Sequence, residues 1–491
     1  MTRTMWPIFR KDARHLWPQI ASFLVLLAGA AIFDPAYAVR SQAAAGSWLG
    51  FLAMLACWNL VIAAIHEDKL TSEQADWLTR PYHRGGLLAA KILFVTVFVN
   101  LPVLLTQVAV MTCLGIPPLG HLPALLWRQV FLTAILILPA AALAAITSSL
   151  REAFLTVVLT VAPIYLAVLV LTPGRVRIFF MGPGSQSYWL KDAFQAAVAL
   201  VFGAAILLLQ YRRRATTLSR VTLGLGVALA MFFAGQIVPQ RREFPIQAAL
   251  SPRWPQSGAI GIELDPSPGI LHDPGYSRER SQPGMVHVEI PIRVAGAPGG
   301  AGLLLGTRAA TTLKTEPPLP VYSEIRDLPG VGKWLSFDIS RVTFFSLRRS
   351  PIRVAGHIQL TLFARAATVP APAGNRVVVP GFGACANYRD VDGKFVVRCF
   401  TPFASVPVAL EYPNGGRQWI VSRAAADVPF PTAFGFGFVE ARLSQLPFAS
   451  ADEIGALRLV TERAMAHLEP SFDFAIHLDD YAHGVGMLTR E

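Results

Sequence analysis

Long apolar runs fill the first half of the chain, and short alternating runs fill the second. Seven runs before residue 239 are long enough, or nearly so, to cross a bilayer as helices of about 20 residues. They cover residues 18–38, 46–65, 87–114, 124–148, 153–172, 193–210 and 221–238. Asp34 and Pro35 interrupt the first run, and the last two are short. The pattern predicts an α-helical polytopic membrane domain of six to seven spans.

From Gln240 onward the hydrophobic period changes to two, which is typical of strands. Alternating runs at 286–293, 341–345, 357–362 and 395–398 are separated by Pro and Gly turns, as in a β-sandwich. We therefore expect a mostly β, sandwich-like extracytoplasmic domain, built as one large sandwich or two small ones. A helix is expected to interrupt it near residues 451–467.

The pattern divides the chain into three parts. Residues 1–238 form the predicted membrane domain and begin with an amphipathic helix. Residues 239–283, which are rich in Pro, Gly and Ser, are predicted to be a linker. Residues 284–491 form the predicted β domain.

Composition supports the membrane assignment, because 53% of residues are hydrophobic and 15% are charged, against about a quarter charged in soluble proteins. The net charge of +12 is almost confined to residues 1–238, which carry 18 basic and 8 acidic residues. With the N-terminus inside, twelve basic residues flank the spans on the cytoplasmic side and seven on the other, as the positive-inside rule requires. Seven spans would export the β domain, whereas six would leave it in the cytoplasm.

Two cysteines bear on that choice. A three-residue hairpin loop at Val391, Asp392 and Gly393 would pair residues whose numbers sum to 784, and Cys385 and Cys399 satisfy that sum. The predicted disulfide would contribute about 3 kcal/mol and would need an oxidising compartment. The alternative is two unpaired buried cysteines.

Sites for self-powered chemistry are scarce in the sequence. No predicted span carries a carboxylate near its centre; the deep polar positions include Asn100 and Gln107, and Lys91 is expected to snorkel to the interface. The sequence has no nucleotide-binding motif and no recognised hydrolase motif, so the chain is predicted to be neither an enzyme nor a cofactor binder. His477, Asp479 and His483 are a weak candidate metal site, for which the alternative is a strand end and a polar loop. Basic residues are scattered among acids in the β domain, so nucleic acid is not an expected partner.

Two segments on the predicted cytoplasmic side carry a distinctive pattern. The N-terminal segment spaces Trp6, Phe9, Ala13 and Leu16 at three and four, with charges such as Arg10, Lys11 and Arg14 between them, which predicts an interfacial amphipathic helix. The loop after the second span has an acidic start, a hydrophobic pair, a Pro with an Arg three residues later, and a Lys entering the third span. Its residues are Glu67, Asp68, Trp77, Leu78, Arg80, Pro81, Arg84 and Lys91.

In these two segments the sequence resembles the membrane permease subunits of type-2 ABC exporters. The resemblance covers about 210 residues. It departs from the family pattern at Lys69 to Ser72, where a Gly-Thr is usual, and in the large C-terminal extension. It implies that the loop docks on a separate cytoplasmic ABC ATPase, which binds ATP and Mg. It also implies a homo- or heterodimer of permease subunits in the bacterial cytoplasmic (inner) membrane, surrounded by lipid, with a cytoplasmic N-terminus.

Two other functions stay open at this point. A membrane-bound enzyme acting on a lipid or cell-wall substrate would use the His477 to His483 segment. A membrane-tethered receptor or assembly factor would bind a protein through its β domain.

Overall fold

The structure is a computed structural model of the full chain. Apart from a few isolated positions, the residues that it describes fall in separate ranges. These are residues 2–37, 44–67, 84–156, 188–232, 260–265, 284–328, 332–371, 376–389, 395–401, 408–411, 417–420, 437–442 and 456–483.

The described residues of the first half of the chain are mostly helical. Its helices are α1 (Thr2–His15), α2 (Trp17–Tyr37), α3 (Ala44–His66), α4 (Arg84–Val95), α5 (Leu101–Cys113), α6 (Leu122–Leu132), α7 (Leu138–Ile146), α8 (Tyr188–Arg213) and α9 (Thr216–Phe232). Short π-helical segments at Thr96–Asn100 and Thr133–Ile137 join α4 to α5 and α6 to α7, so each pair forms one continuous rod. A 3-10 turn at Pro118–His121 leads into α6.

Within the described residues, four helical segments are long and apolar enough to cross a membrane. They are Trp48–His66, Gly85–Cys113, Pro118–Ile146 and Ala193–Arg213. A fifth results if the bent pair Met5–His15 and Trp17–Phe33 counts as one span, and Thr216–Ala230 is a shorter apolar helix. The predicted run at 153–172 lies almost wholly outside the described residues. Six to seven spans therefore stays a prediction.

The two π-helical segments share a local cause. Pro102 and Pro139 each lie two residues after such a segment, and proline has no N–H to donate to the carbonyl four residues earlier. A wider turn before the proline accommodates the missing hydrogen bond. Both irregular turns lie near the middle of their spans.

Small residues let the helices approach closely. A Cβ on Gly203 of α8 would lie 2.5 Å from Cγ of Leu138 in α7, so only glycine allows this packing. The main helical core contains Phe23, Leu60, Phe94 and Val99, all fully buried.

The second half is dominated by antiparallel strands. The strands are β1 (Gly261–Leu264), β2 (Met285–Ala295), β3 (Gly302–Leu313), β4 (Leu319–Leu328), β5 (Gly332–Ser340), β6 (Ile352–Pro370), β7 (Val377–Val379), β8 (Gly383–Arg389), β9 (Phe395–Thr401), β10 (Val408–Glu411), β11 (Arg417–Ile420), β12 (Gly437–Arg442), β13 (Arg458–Leu468), β14 (Ser471–Ile476) and β15 (Ala482–His483). A short helix, α10 (Arg341–Leu347), connects β5 to β6.

Eleven of the described strands form one large sheet. Its main order is β1-β2-β5-β4-β3-β6-β13-β10-β11. Strand β14 pairs with β6, and β15, which follows after a single 3-10 turn at Leu478–Asp480, pairs with β2. The short turn joins β14, which pairs with β6, to β15, which pairs with β2. The sheet must therefore curl and bring β6 and β2 together at one end. The enclosed core includes Val288, Ile290, Leu360 and Leu362.

The remaining four described strands form a small sheet in the order β12-β9-β8-β7. The chain divides into two compact units, and this sheet belongs to the unit that holds the helices, with residues 1–239, 374–405 and 422–446. The large sheet forms the second unit, with residues 240–373, 406–421 and 447–491. Residues 284–491, predicted to form the β domain as one large or two small sandwiches, are therefore divided between the two units.

Three local expectations were wrong. The segment 341–345 is helical because Ser340 caps α10 by accepting a hydrogen bond from the Thr343 amide. The segment 451–467, expected to be a helix, contains most of strand β13, whose partner β6 supplies backbone hydrogen bonds along 360–370. The expected linker contains β1, which pairs with the end of β2.

Candidate functional site

Helix α1 turns one face inward, and Phe9 of the predicted interfacial residues lies on that face. Ile8, Phe9, Asp12 and Leu16 are buried, at the spacing of one helix face. Trp6, expected to lie on the apolar face, is exposed and stacks on Phe9 with ring centroids 5.3 Å apart. The positively charged Arg10, Lys11 and Arg14 are exposed, as expected of an interfacial helix.

The buried face of α1 carries a carboxylate into contact with the third span. The Lys91 ammonium donates to Asp12 Oδ2 at 2.8 Å and to the backbone carbonyl of Ala64 at 2.6 Å. Asp12 is fully buried and Lys91 nearly so. Three helices, α1, α3 and α4, thus meet at one ammonium group. The expectation that Lys91 snorkels to the interface was wrong, because a buried partner holds it.

A second, more exposed layer surrounds this ion pair. The Glu67 carboxylate, one residue beyond α3, lies 3.5 Å from His15 Nε2 and 3.8 Å from Lys11 Nζ. Lys11 Nζ also lies 3.4 Å from Asp12 Oδ1. Lys11 therefore stands between the two carboxylates. We call Lys11, Asp12, His15, Glu67 and Lys91 the α1 junction.

The α1 junction includes part of the predicted ATPase-coupling loop. Glu67 and Lys91, its two ends, both contact α1. Arg84 is the first residue of α4, and its side chain is not described. The other members, Asp68, Trp77, Leu78, Arg80 and Pro81, lie outside the described residues.

Sequence reasoning missed Asp12. The signal was present, since Asp12 lies four residues after Ile8 and four before Leu16, in line with the buried face. A charged residue on such a line predicts a buried partner of opposite charge.

Polar side chains also meet inside the bundle. Asn100 Nδ2 donates to Thr133 Oγ1 at 3.1 Å, which joins the two π-helical segments, and Gln129 Nε2 donates to Gln107 Oε1 at 3.1 Å. Asn100 and Gln107 were noted in the sequence as deep polar positions. In an apolar bundle, such side-chain pairs fix the register of two spans.

The small sheet packs at the other end of the third span. Ala384 of β8 belongs to the buried cluster formed by Met111, Leu114, Ile116 and Leu125 around the α5–α6 turn. In the same sheet, Cys385 lies opposite Cys399, and their sulfur atoms are bonded at 2.11 Å. Every pair in this β8–β9 register has residue numbers that sum to 784. The turn itself, Val391 to Gly393, lies outside the described residues.

The large sheet holds one cluster of titratable groups. His287 Nδ1 lies 2.7 Å from Asp338 Oδ1, and its Nε2 lies 3.2 Å from Glu289 Oε1. Burial lowers the pKa of His287, but the hydrogen bonds and negative charges of Glu289 and Asp338 outweigh it, so the pKa is raised. Since both ring nitrogens face carboxylates, the imidazole has no free nitrogen to act as a base.

The weak candidate metal site is not assembled in the described residues. His477 precedes the Leu478–Asp480 turn, and both it and Asp479 are exposed. The backbone of His483 pairs opposite His287, and its side chain is not described. No group of three His, Cys, Asp or Glu among the described residues has an arrangement that could hold a metal ion.

Comparisons with known proteins by family model, by sequence and by structure return no match. The functional argument therefore depends on this chain's own residues.

Proposed function

We propose that this chain is the membrane subunit of an ATP-driven exporter of the type-2 ABC class. A separate cytoplasmic ATPase would bind ATP and Mg and would dock on the loop between Glu67 and Lys91. The observation that carries the proposal is the α1 junction, in which both ends of that loop are tied to α1.

A motor can drive a membrane bundle only if its docking elements move together with the spans. At the α1 junction, Lys91 ties the third span both to α1, through Asp12, and to the end of the second span, through Ala64. Burial makes this link stiff, since breaking it would leave an uncompensated charge in an apolar setting. A push on the loop would thus reach α1 and two spans as one rigid body.

The ends of the third span support the orientation. The α1 junction lies at the start of this span, beside a basic N-terminal segment, as expected of a cytoplasmic end. The disulfide-bearing sheet packs at its other end, around Met111 and Leu114. Disulfides persist in oxidising compartments. This argument favours an extracytoplasmic small sheet without any count of the spans.

The remaining parts of the proposal follow from the resemblance to type-2 ABC exporters. The chain would work as a homo- or heterodimer in the cytoplasmic membrane of a bacterium, with its N-terminus inside. The exported large sheet would receive, guide or gate the substrate.

The test is purification of the detergent-solubilised chain from its native host and identification of the proteins bound to it. The wild type should carry an ATPase subunit, and a Glu67→Ala, Arg80→Ala, Arg84→Ala variant should lose it. A matched control removes an exposed ion pair of the large sheet, Glu263→Ala with Arg293→Ala, and should keep the ATPase. Recovery of the wild type without an ATPase would contradict the proposal and favour a membrane-bound enzyme or a tethered receptor.

A further inference from the structure

Two connections close the same end of the curled sheet. Helix α10 crosses from β5 to β6 and buries Phe344 in the core. The Leu478–Asp480 turn crosses from β14 to β15 and buries Leu478 in the same core. We call the outward faces of α10 and of the Leu478–Asp480 turn, taken together, the sheet tip.

The α10 side of the sheet tip is apolar and basic. Val342 is 83% exposed and Phe345 is 43% exposed. Arg348 lies over the Phe345 ring, 4.8 Å from its centroid, and Arg341 and Arg349 are exposed. Within the described part of the chain, none of these three guanidinium groups has a carboxylate within 4 Å.

The turn side of the sheet tip is acidic. Asp479 and Asp480 are both exposed and have no ion-pair partner among the described residues. Other charges at this end are already engaged, since Lys314 and Arg353 pair with Asp473 and His287 contacts Asp338. Glu316, between β3 and β4, is exposed. The sheet tip thus presents basic and acidic groups that do not neutralise each other within one copy.

The sheet tip lies at the end of β2 opposite to the end that pairs with the start of β1. The chain enters β1 at Gly261, which pairs with Ala295 at the end of β2, and leaves β6 after Pro370, which pairs with Arg458. Helix α10 follows Ser340, which pairs with Met285 at the opposite end of β2.

We propose that the sheet tip binds the sheet tip of a second copy of this chain. In a twofold contact, α10 of one copy faces the Asp479–Asp480 turn of the other. Each ion pair between an arginine of α10 and an aspartate of the turn then occurs twice. Arginine and aromatic side chains are the residues most enriched in such contacts. The proposal does not depend on the proposed transport function.

The contact is small, since a seven-residue helix is about 10 Å long. It is therefore expected to be weak between free domains and to form when two chains share a membrane, which raises their local concentration. The experiment accordingly uses the full chain in its membrane.

Two differently tagged full chains are co-expressed with Cys113, an exposed free thiol, changed to Ala. One carries Val342→Cys and the other Asp480→Cys, and a short bismaleimide is added to the membranes. The yield of the product joining both tags should exceed that of a control pair by about fivefold, as two exposed ion pairs predict. The control pair, Arg293→Cys with Glu263→Cys, places one former base and one former acid at the opposite end of the sheet.

Charge reversal gives the decisive comparison. Arg348→Asp on the first chain, or Asp479→Arg on the second, should each lower the yield toward the control, and the two together should restore it. A yield no higher than the control, or one indifferent to both reversals, would overturn the proposal and point to a lipid surface or another protein as the occupant. Unchanged elution of each variant in detergent excludes misfolding as the cause of a loss.

Discussion

Asp12 and Lys91 stand 79 positions apart in the chain, yet the Lys91 ammonium donates a 2.8 Å hydrogen bond to the Asp12 carboxylate inside the helical core. Neither side chain is exposed by more than 5%. Such a pair adds little net stability, because both charges lose their hydration. It specifies position instead, since either charge alone would be strongly unfavourable there.

Breaking this pair from one side should destabilise the protein strongly. Asp12→Leu or Lys91→Met leaves one buried charge uncompensated and should cost about 3–5 kcal/mol. The double variant removes both charges and should recover most of that loss. Thermal unfolding of the purified protein in detergent measures the three variants.

Lys11→Gln is the matched control for this prediction. Lys11 touches the same carboxylate but is 43% exposed, so its removal should cost at most about 1 kcal/mol. Single variants at Asp12 and Lys91 that behave like Lys11→Gln would show that the buried pair does not hold α1.

His287 should make stability depend on pH. Its pKa is raised in the folded protein because the contacts with Glu289 and Asp338 outweigh the effect of burial. Its charged form therefore stabilises the fold, fully below the ordinary histidine pKa of about 6.5, and this stabilisation is lost as pH rises through the raised pKa. His287→Gln should lower the unfolding temperature at about pH 5.5 and have less effect at about pH 8.5.

His467 provides a control of opposite sign. Burial lowers its pKa, so wild-type stability falls as the solution becomes acidic enough to protonate it. His467→Gln should remove that loss at low pH. Equal effects of His287→Gln at both pH values would contradict a stabilising charged imidazole.

The sequence was sufficient where local pattern decides structure. Apolar runs located the helices later found at Ala44–His66 and Arg84–Cys113, and turn chemistry in the 385–399 segment identified the pairing of Cys385 with Cys399. Both features arise from residues close together in the chain.

The rest depends on partners distant in sequence. Strand β13 forms because β6 offers it an edge, although its own residues also suit a helix. Asp12 is tolerated inside the bundle because Lys91 comes from another helix. Such pairings cannot be read from a window of neighbouring residues.

Gly356 should tolerate no side chain. An added Cβ would collide with the backbone carbonyl of Ala310 on β3 and with the Phe472 ring, and the sheet fixes that carbonyl in place. Gly356→Ala should cost about 2 kcal/mol or more in unfolding free energy. Gly299→Ala, where no atom lies within 4 Å of the added Cβ, should be nearly neutral. Similar unfolding temperatures for the two variants would contradict this packing.

The bonded cysteines should resist alkylation until reduced. In protein extracted from membranes under non-reducing conditions, a maleimide should label Cys113, which is exposed, and leave Cys385 and Cys399 unlabelled. Labelling of Cys385 without a reductant would contradict both the bond and the oxidising compartment. Cys385→Ser should cost about 3 kcal/mol through loss of the crosslink, measured by unfolding in denaturant.

The central claim is that this chain transmits the work of a bound ATPase. The most direct test is the native mass of the assembly purified from its host membrane, combined with identification of its subunits and its ATP hydrolysis. The account predicts two permease chains, with at least one copy of this chain, bound to an ATPase that hydrolyses ATP. It also predicts that the ATPase is lost when Glu67, Arg80 and Arg84 are changed to Ala. A chain that leaves the membrane without any ATP-hydrolysing partner would contradict it.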